Sequence, residues 1–294
     1  DLVTQRASDF SGKEPHFKLL TVNEISVNML VFNMVNPALA KKEVRQAINY
    51  SIDKEYILSK VIEGQYVAVA KGGVVPFSIS TPELHYPFDT TLYYRYDPKK
   101  ARELMAKAGY KDGKGFPTIT LVVNREGGIH EKVTSFVATQ LRENLGINVE
   151  ISLKSISEAI SSMEAGDGDI FRFGRIADYY SPYAILKIFS SSLLDTAGKK
   201  FFPNSARYTN PVYDSLLDRA ITTTDVQERY SLYARAEKAL MNDPPCVPLW
   251  YDVGIWLING SVRDFMPPKV RLFFLGEVYK KPLTPTQKKP PHEM

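Results

Sequence analysis

An alternation of strand-like and helix-like segments in the middle of the chain constrains the fold more than any other feature. A β-prone run at 118–123 precedes a helical pattern at 129–145, and alternating apolar residues follow at 147–153. Ser155 with Glu158 then predicts a capped short helix, and a further strand is predicted at 169–174. Strands that alternate with helices in this way are typical of an α/β domain. The sequence therefore predicts an α/β fold.

Further helices are predicted on both sides of this run from their N-terminal signals. Each signal is a residue that can cap a helix N-terminus, followed by apolar residues at helical spacing. The predicted starts with such a cap are at Asp53, Asp97-Pro98, Asn210-Pro211 and Asp225, and apolar spacing alone predicts a further helix that starts near Lys41.

The remaining segments are predicted as strands, a loop and a tail. Apolar β-prone runs predict strands at 29–32, 247–251 and 254–258. Residues 65–92 show little periodicity and are expected to form a long loop. The tail at 280–294 is rich in Pro and Lys, so we expect it to be disordered.

Composition excludes several classes of function. The net charge of +4 is small and unclustered, which does not favour nucleic-acid binding. The single cysteine, Cys246, lies among apolar residues and is interpreted as a buried hydrophobe rather than a nucleophile. Apolar runs stay well short of the ~20 residues that span a bilayer. Residues 1–6 do not resemble a signal peptide, so either the signal was removed or the chain is a fragment.

Three candidate chemistries were weighed against the sequence. His130-Glu131 begins like a zinc-protease helix, but Thr134 occupies the position of the second histidine, so no metal site is predicted. The glycines at 109–115 lack the residues of a phosphate loop, so no nucleotide or other cofactor is predicted. Asp169 and Asp178, with Asp167 nearby, could form the carboxylate pair of a glycoside hydrolase, which remains an alternative.

Five sequence blocks, in order between about residues 25 and 280, resemble the solute-binding receptors of peptide-type ABC importers. The first block is Phe32-Asn33-Met34-Val35-Asn36-Pro37 with Glu43-Val44-Arg45-Gln46-Ala47-Ile48-Asn49-Tyr50-Ser51-Ile52-Asp53-Lys54. The second block is Tyr96-Asp97-Pro98-Lys99-Lys100-Ala101-Arg102-Glu103-Leu104 with Ala108-Gly109-Tyr110. The third is Gly146-Ile147-Asn148-Val149, the fourth is the segment 169–182, and the fifth is the segment 229–243 followed by Val247-Pro248-Leu249-Trp250-Tyr251.

The resemblance implies a two-lobed, periplasmic-binding-protein-like receptor that traps its ligand between lobes joined by a two-strand hinge. This chain then corresponds to the C-terminal lobe, a mixed sheet flanked by helices, and most of the first lobe is expected to be missing. Residues 1–25 would end the first lobe and approach the hinge, and 26–245 would form the second, ligand-binding lobe. Residues 246–279 would return to the hinge and first lobe.

The same resemblance places the ligand chemistry in the segment 169–182, which includes Gly174. Asp178 matches the aspartate that pairs with a peptide α-ammonium, although it could instead cap the following helix or pair with Arg175. Arg172 matches an arginine that serves the ligand or its waters, or could pair across the sheet. His130 matches a histidine near the ligand's other end, or could be a surface residue at a helix start. Arg175 stands where oligopeptide binders have an aromatic residue.

The function that the resemblance implies is binding without catalysis. The protein would capture short peptides outside the cytoplasm and deliver them to a membrane permease, acting as a monomer, with a lipid anchor possible in the full-length protein. Receptors of the same family for oligosaccharides, nickel or haem are alternatives. An adhesin or sensor built on the receptor fold is a further one, because a fold does not fix a function.

Overall fold

A seven-stranded mixed sheet forms the centre of the protein. The computed structural model describes residues 17–62, 67–126, 128–194, 204–270, 272 and 275–281. The strand order is β1-β7-β2-β6-β4-β5, and β3 pairs with β7 at the side of this path. The seven strands are β1 (Phe17–Asn23), β2 (Ser26–Phe32), β3 (Val67–Val69), β4 (Ile119–Asn124), β5 (Val149–Lys154), β6 (Ile170–Ile176) and β7 (Cys246–Asn259).

Helices cover both faces of the sheet. They are α1 (Lys42–Ser51), α2 (Lys54–Tyr56), α3 (Pro98–Lys107), α4 (Ile129–Leu145), α5 (Ile156–Ala165), α6 (Tyr183–Leu186), α7 (Pro211–Thr222) and α8 (Val226–Asn242). The predicted caps are confirmed where the sequence signal was strong. The side chains of Asp53, Asp97, Asn210 and Asp225 accept backbone hydrogen bonds at their helix starts, and Ser155 forms a full capping box.

The direction of the strands confirms the predicted α/β class with a mixed sheet. Strand β4 runs parallel to both β5 and β6, while β2 is antiparallel to β6 and to β7. The parallel strands are connected through helices α4 and α5, as parallel pairing requires. Their carboxyl ends therefore lie along one edge of the sheet.

Strand β2 is buried on both faces and joins two hydrophobic cores. Leu30 and Phe32 pack into the core beneath α1, α3 and α4. Met29 and Val31 pack into the core beneath α6, α7 and α8. Complete burial of such a side chain contributes about 1.5–3 kcal/mol, so this one strand stabilises both layers.

Some of the predicted elements needed correction. The strand at 29–32 is longer than predicted, and β1, which precedes it, was not predicted. The expected loop at 65–92 contains β3, whose backbone pairs with residues 250–252 of β7. The strands predicted at 247–251 and 254–258 form the single strand β7, because Gly254 continues the pairing with β1. The helix predicted after Asp53 changes after one turn into the wider turn Ile57–Val61.

A two-stranded ribbon extends from the sheet. The first part of β7 pairs with β2, and its last part pairs with β1 from Val253 to Asn259. Beyond it, the short strands β8 (Val262–Arg263) and β9 (Tyr279–Lys280) pair with each other. Lys280 is thus in a strand rather than in a disordered tail, and residues 282–294 lie outside the described residues. No helix within the described ranges is long and apolar enough to cross a membrane.

Candidate ligand-binding site

The residues singled out from the sequence lie toward the carboxyl ends of the parallel strands. In open α/β sheets this edge is where ligands bind. Arg172 and Gly174 lie on β6, His130 is in the first turn of α4, and Asp178 follows the end of β6. Because side chains alternate along a strand, Arg172 and Gly174 share one face of the sheet and Arg175 lies on the other.

Arg172 is held across the sheet by side chains from two neighbouring strands. Its guanidinium donates to Oδ1 of Asn28 on β2 and to Oδ1 of Asn124 at the end of β4, the latter at 3.3 Å. Its Nε is buried and has no hydrogen-bond partner among the described residues. Burial lowers the pKa of Arg172 to about 10, which still leaves it charged at neutral pH.

A partly buried aspartate balances this charge through Asn28. The amide nitrogen of Asn28 lies 2.8 Å from both carboxylate oxygens of Asp252 on β7. Asp252 also accepts from Nε1 of Trp250 at 3.1 Å. Burial raises the pKa of Asp252, while hydrogen bonds from Ser26, Trp250 and Asn28 and the charge of Arg172 oppose that rise. The chain of contacts from Asp252 through Asn28 to Arg172 fixes the guanidinium, and we call it the arginine relay.

His130 lies next to the arginine relay. Its position in the first turn of α4 agrees with the sequence, but its Nδ1 is buried and lacks a hydrogen-bond partner in the described part of the chain. Burial, and then the charge of Arg172, lower its pKa to about 4. His130 is therefore a neutral imidazole at pH 7 rather than an exposed surface histidine.

Gly174 leaves room for the arginine relay. A Cβ atom at this position would lie 3.1 Å from Oδ1 of Asn28 and 3.3 Å from Nη2 of Arg172. Both distances are shorter than ordinary van der Waals contacts, so the guanidinium takes the space of a missing side chain.

Asp178 pairs with two cations beyond the end of β6. Its Oδ2 lies 2.5 Å from Nη2 of Arg175 and 3.8 Å from Nζ of Lys187. The Asp178 side chain remains 52 % exposed. Among the described residues it does not cap the next helix, whose N-cap is Pro182. The alternative pairing with Arg175 is therefore present in the structure, and the tyrosine rings of Tyr179 and Tyr180 are exposed beside it.

The carboxylates of the glycoside hydrolase alternative are not brought together. Asp169 precedes β6 and Asp178 follows it, so the strand, about 20 Å long at ~3.3 Å per residue, separates them. Paired glycosidase carboxylates lie about 5–9.5 Å apart. Asp169 instead accepts from the backbone N–H of Thr120 and from the amide of Asn36, both at 2.7 Å, which is a structural role.

The residues that the sequence did not reveal are the partners of Arg172. Asn28 and Asp252 are isolated polar residues in the apolar runs SVNMLVF and CVPLWYDVGIWLIN. A polar residue in a buried strand needs a partner, so that signal was available, although it does not tell which residue the partner is. No group of three or more His, Cys, Asp or Glu side chains in the described ranges could hold a metal ion.

Comparisons with known proteins point to one class. A family model described as "Bacterial extracellular solute-binding proteins, family 5 Middle" matches residues 3–195. The chain is 27% identical over 241 residues to the periplasmic oligopeptide-binding protein OppA of Escherichia coli K12, covering 79% of this chain and 41% of that protein. It is 30% identical over 245 residues to the glutathione-binding protein GsiB of Salmonella paratyphi A, covering 81% and 44%.

A solved structure supports the same class. The murein tripeptide binding protein MppA of Escherichia coli superposes with a TM-score of 0.69 at 26% sequence identity, covering 89% of this chain and 48% of that one. The chain thus spans about half the length, or somewhat less, of the relatives that it matches. These relatives are named as binding proteins.

Proposed function

Because the chain belongs to the bacterial extracellular solute-binding proteins of family 5, we propose that the protein captures short peptides outside the cytoplasm. It delivers them to the membrane permease of an ABC importer and catalyses no reaction itself. The relatives named above bind oligopeptides, glutathione and murein tripeptide, all of which carry free amino and carboxyl groups.

One observation carries this proposal. Nε of Arg172 and Nδ1 of His130 are buried at the carboxyl edge of the sheet without partners in the described ranges. A buried donor without a partner costs about 1–3 kcal/mol, so such groups point to something that satisfies them. The carboxylate of a bound peptide can accept from both, with His130 in its Nδ1-protonated form. Asp178 then receives the α-ammonium through a charge-assisted hydrogen bond.

The ribbon of β1 and β7 supplies the hinge in this proposal. Residues 26–245, together with the part of β7 that pairs with β2 and β3, form the ligand-binding lobe. Residues 1–25 and the remainder of 246–279 lead to and from an adjoining lobe. Closure over the peptide then excludes water from Arg172 and Asp178, which strengthens both charged contacts. Tyr179 and Tyr180 lie beside Asp178 and would cover the ligand from the side.

The test uses the full-length protein and two measurements. Small molecules released by denaturation are identified by mass spectrometry, and we expect a series of short peptides. Calorimetric titration then compares the wild type with Asp178→Asn, which keeps the shape of the side chain and removes its charge. We expect at least a tenfold loss of peptide affinity, which corresponds to about 1.4 kcal/mol.

Asp218→Asn is the matched control. It removes one carboxylate from the exposed side of α7 and should leave affinity unchanged. Release of a sugar, a metal complex or haem would contradict the peptide proposal. Turnover of a peptide or glycoside that is lost in Asp178→Asn would contradict the binding role itself.

A further inference from the structure

The end of the site at Asp178 carries more positive than negative charge. Arg175 and Lys187 both form their ion pairs, within the described ranges, with the single carboxylate of Asp178. The contact of Lys187 is long, at 3.8 Å, and its Nζ also lies 5.2 Å from the centre of the Tyr179 ring. One negative charge is therefore shared by two cations.

Neither Arg172 nor His130 changes this balance. Arg172 is already balanced by Asp252 through the arginine relay. His130 is neutral at pH 7, because burial and Arg172 hold its pKa at about 4. Among the ion pairs of the described residues, the excess positive charge thus belongs to the group formed by Arg175, Lys187 and Asp178, which we call the cationic cluster.

Arg175 is positioned to bind a second carboxylate. Its Nε donates to the backbone oxygen of Ala184 at 3.2 Å, which fixes the plane of the guanidinium. Its Nη2 contacts Asp178, and its side chain is 21% exposed. A guanidinium held in this way has a further N–H group for an approaching carboxylate, and its planar shape favours that partner.

An ordinary peptide would be a poor partner for the cationic cluster. Its α-ammonium would compete with Arg175 and Lys187 for Asp178 and would add a third positive charge. When an α-ammonium binds Asp178, Arg175 and Lys187 must share their carboxylate with it. A ligand with a carboxylate near its ammonium would give these two cations a second anionic partner. We propose that the site selects peptides whose first residue is acidic, with Arg175 as the specificity-determining residue. This inference rests on the proposed function.

The test compares two tripeptides of nearly equal shape. Glu-Ala-Ala and Gln-Ala-Ala are titrated into full-length protein that has been unfolded and refolded to remove bound ligand. We expect Glu-Ala-Ala to bind about tenfold more tightly, the size of one charge-assisted hydrogen bond. In Arg175→Gln the preference should fall below about twofold, because the fixed cation is gone.

Arg142→Gln is the control for the change of net charge. Arg142 is exposed near the C-terminal end of α4, about 18 Å along the helix from His130. This variant should keep the full preference. The unfolding temperature of each variant separates a loss of specificity from a loss of folding.

The outcomes separate this inference from the proposed function. Equal binding of both peptides to the wild type overturns the acidic preference and leaves peptide capture standing, and this comparison needs no variant to fold. A preference that survives in Arg175→Gln overturns the role of Arg175. Failure of every peptide to bind overturns the proposed function together with the inference.

Discussion

At the scale of the residue, the least expected feature is a lysine inside the protein. The Lys54 side chain is 2% exposed, directly after the confirmed N-cap Asp53. Its Nζ lies 3.4 Å from the backbone oxygen of Tyr94 and 5.0 Å from the centre of the Tyr93 ring. Burial lowers the pKa of Lys54 to about 7. No carboxylate in the described part of the chain forms an ion pair with it, so the ammonium form is unfavourable.

Lys54→Met should therefore stabilise the protein at neutral pH. The unfolded chain binds a proton at Lys54 below about pH 10.4, whereas the folded protein does so only below about pH 7. Wild-type stability should fall as the pH is lowered through this window, and Lys54→Met should lack that fall. At pH 7 the free energy of unfolding of Lys54→Met should exceed that of the wild type by at most about 5 kcal/mol, because each pKa unit corresponds to about 1.4 kcal/mol.

Urea unfolding at pH 7 and pH 9.5 measures this difference. Lys99→Met, an exposed lysine in the first turn of α3, should change neither the stability nor its pH dependence. A destabilised Lys54→Met with an unchanged pH slope would mean that the charged amine stabilises the fold.

At the scale of the element, β6 separates two kinds of charge. Arg172 on one face belongs to the arginine relay, and Arg175 on the other belongs to the cationic cluster. Gly174 lies between them in sequence and leaves the space that the Arg172 guanidinium occupies. The strand thus presents two cations to one edge of the sheet without placing them on the same face.

Gly174→Ala tests whether the Arg172 guanidinium needs the space left by the missing side chain at position 174. Alanine in a strand is favoured over glycine by about 0.5–1 kcal/mol, which offsets the cost of the two close contacts, so the unfolding temperature should change little. The new methyl group would push against Asn28 and Arg172, so peptide affinity should fall several-fold. Calorimetric titration and thermal unfolding measure the two effects. Gly276→Ala, where a Cβ meets nothing within 4 Å, is the control. Unchanged affinity would show that Arg172 can move without consequence for the ligand.

The elements also show what the sequence could and could not predict. The helix α4 was predicted at its observed bounds, and the caps were predicted because each depends on residues three or four positions apart. Strand β3 was missed because its partner lies in β7, far along the chain. The candidate site shows the same limit of sequence-based prediction. Arg172 and Asp178 were proposed from sequence resemblance and remain predictions, whereas Asn28 and Asp252, separated by 224 positions, meet only in the folded protein.

At the scale of the whole molecule, one buried carboxyl group fastens a long irregular segment to the core. Oε1 of Glu237 on α8 accepts from the backbone N–H groups of Val74 and Val75, at 2.8 and 2.7 Å. Its Oε2 lies 2.8 Å from the hydroxyl of Tyr86. These residues and the adjacent Tyr251 belong to the core on one face of the sheet. These hydrogen bonds therefore attach the segment between β3 and α3 to that core.

The pH dependence of global stability should report on this contact. Burial raises the pKa of Glu237 to about 8, despite the hydrogen bonds from Val75, Tyr86 and Val74, which lower it. The folded protein therefore keeps a proton that the unfolded chain releases above about pH 4.3. The stability from this group is complete below that pH and is lost as the pH rises toward 8.

Glu237→Gln should remove that loss, because glutamine resembles the protonated acid. Its Oε1 can still accept from Val74 and Val75, and its Nε2 can donate to the Tyr86 hydroxyl, which then acts as the acceptor. The free energy of unfolding is measured from pH 5 to pH 8.5 in both proteins, and the wild type should lose stability relative to Glu237→Gln as the pH rises. The difference isolates Glu237, because His130 and Lys54 titrate in both proteins. Glu103→Gln, on the exposed side of α3, should follow the wild type. If wild-type stability instead rises over this range relative to Glu237→Gln, Glu237 is ionised in the folded protein. The two backbone N–H groups and the Tyr86 hydroxyl would then be sufficient to hold a buried charge in the core.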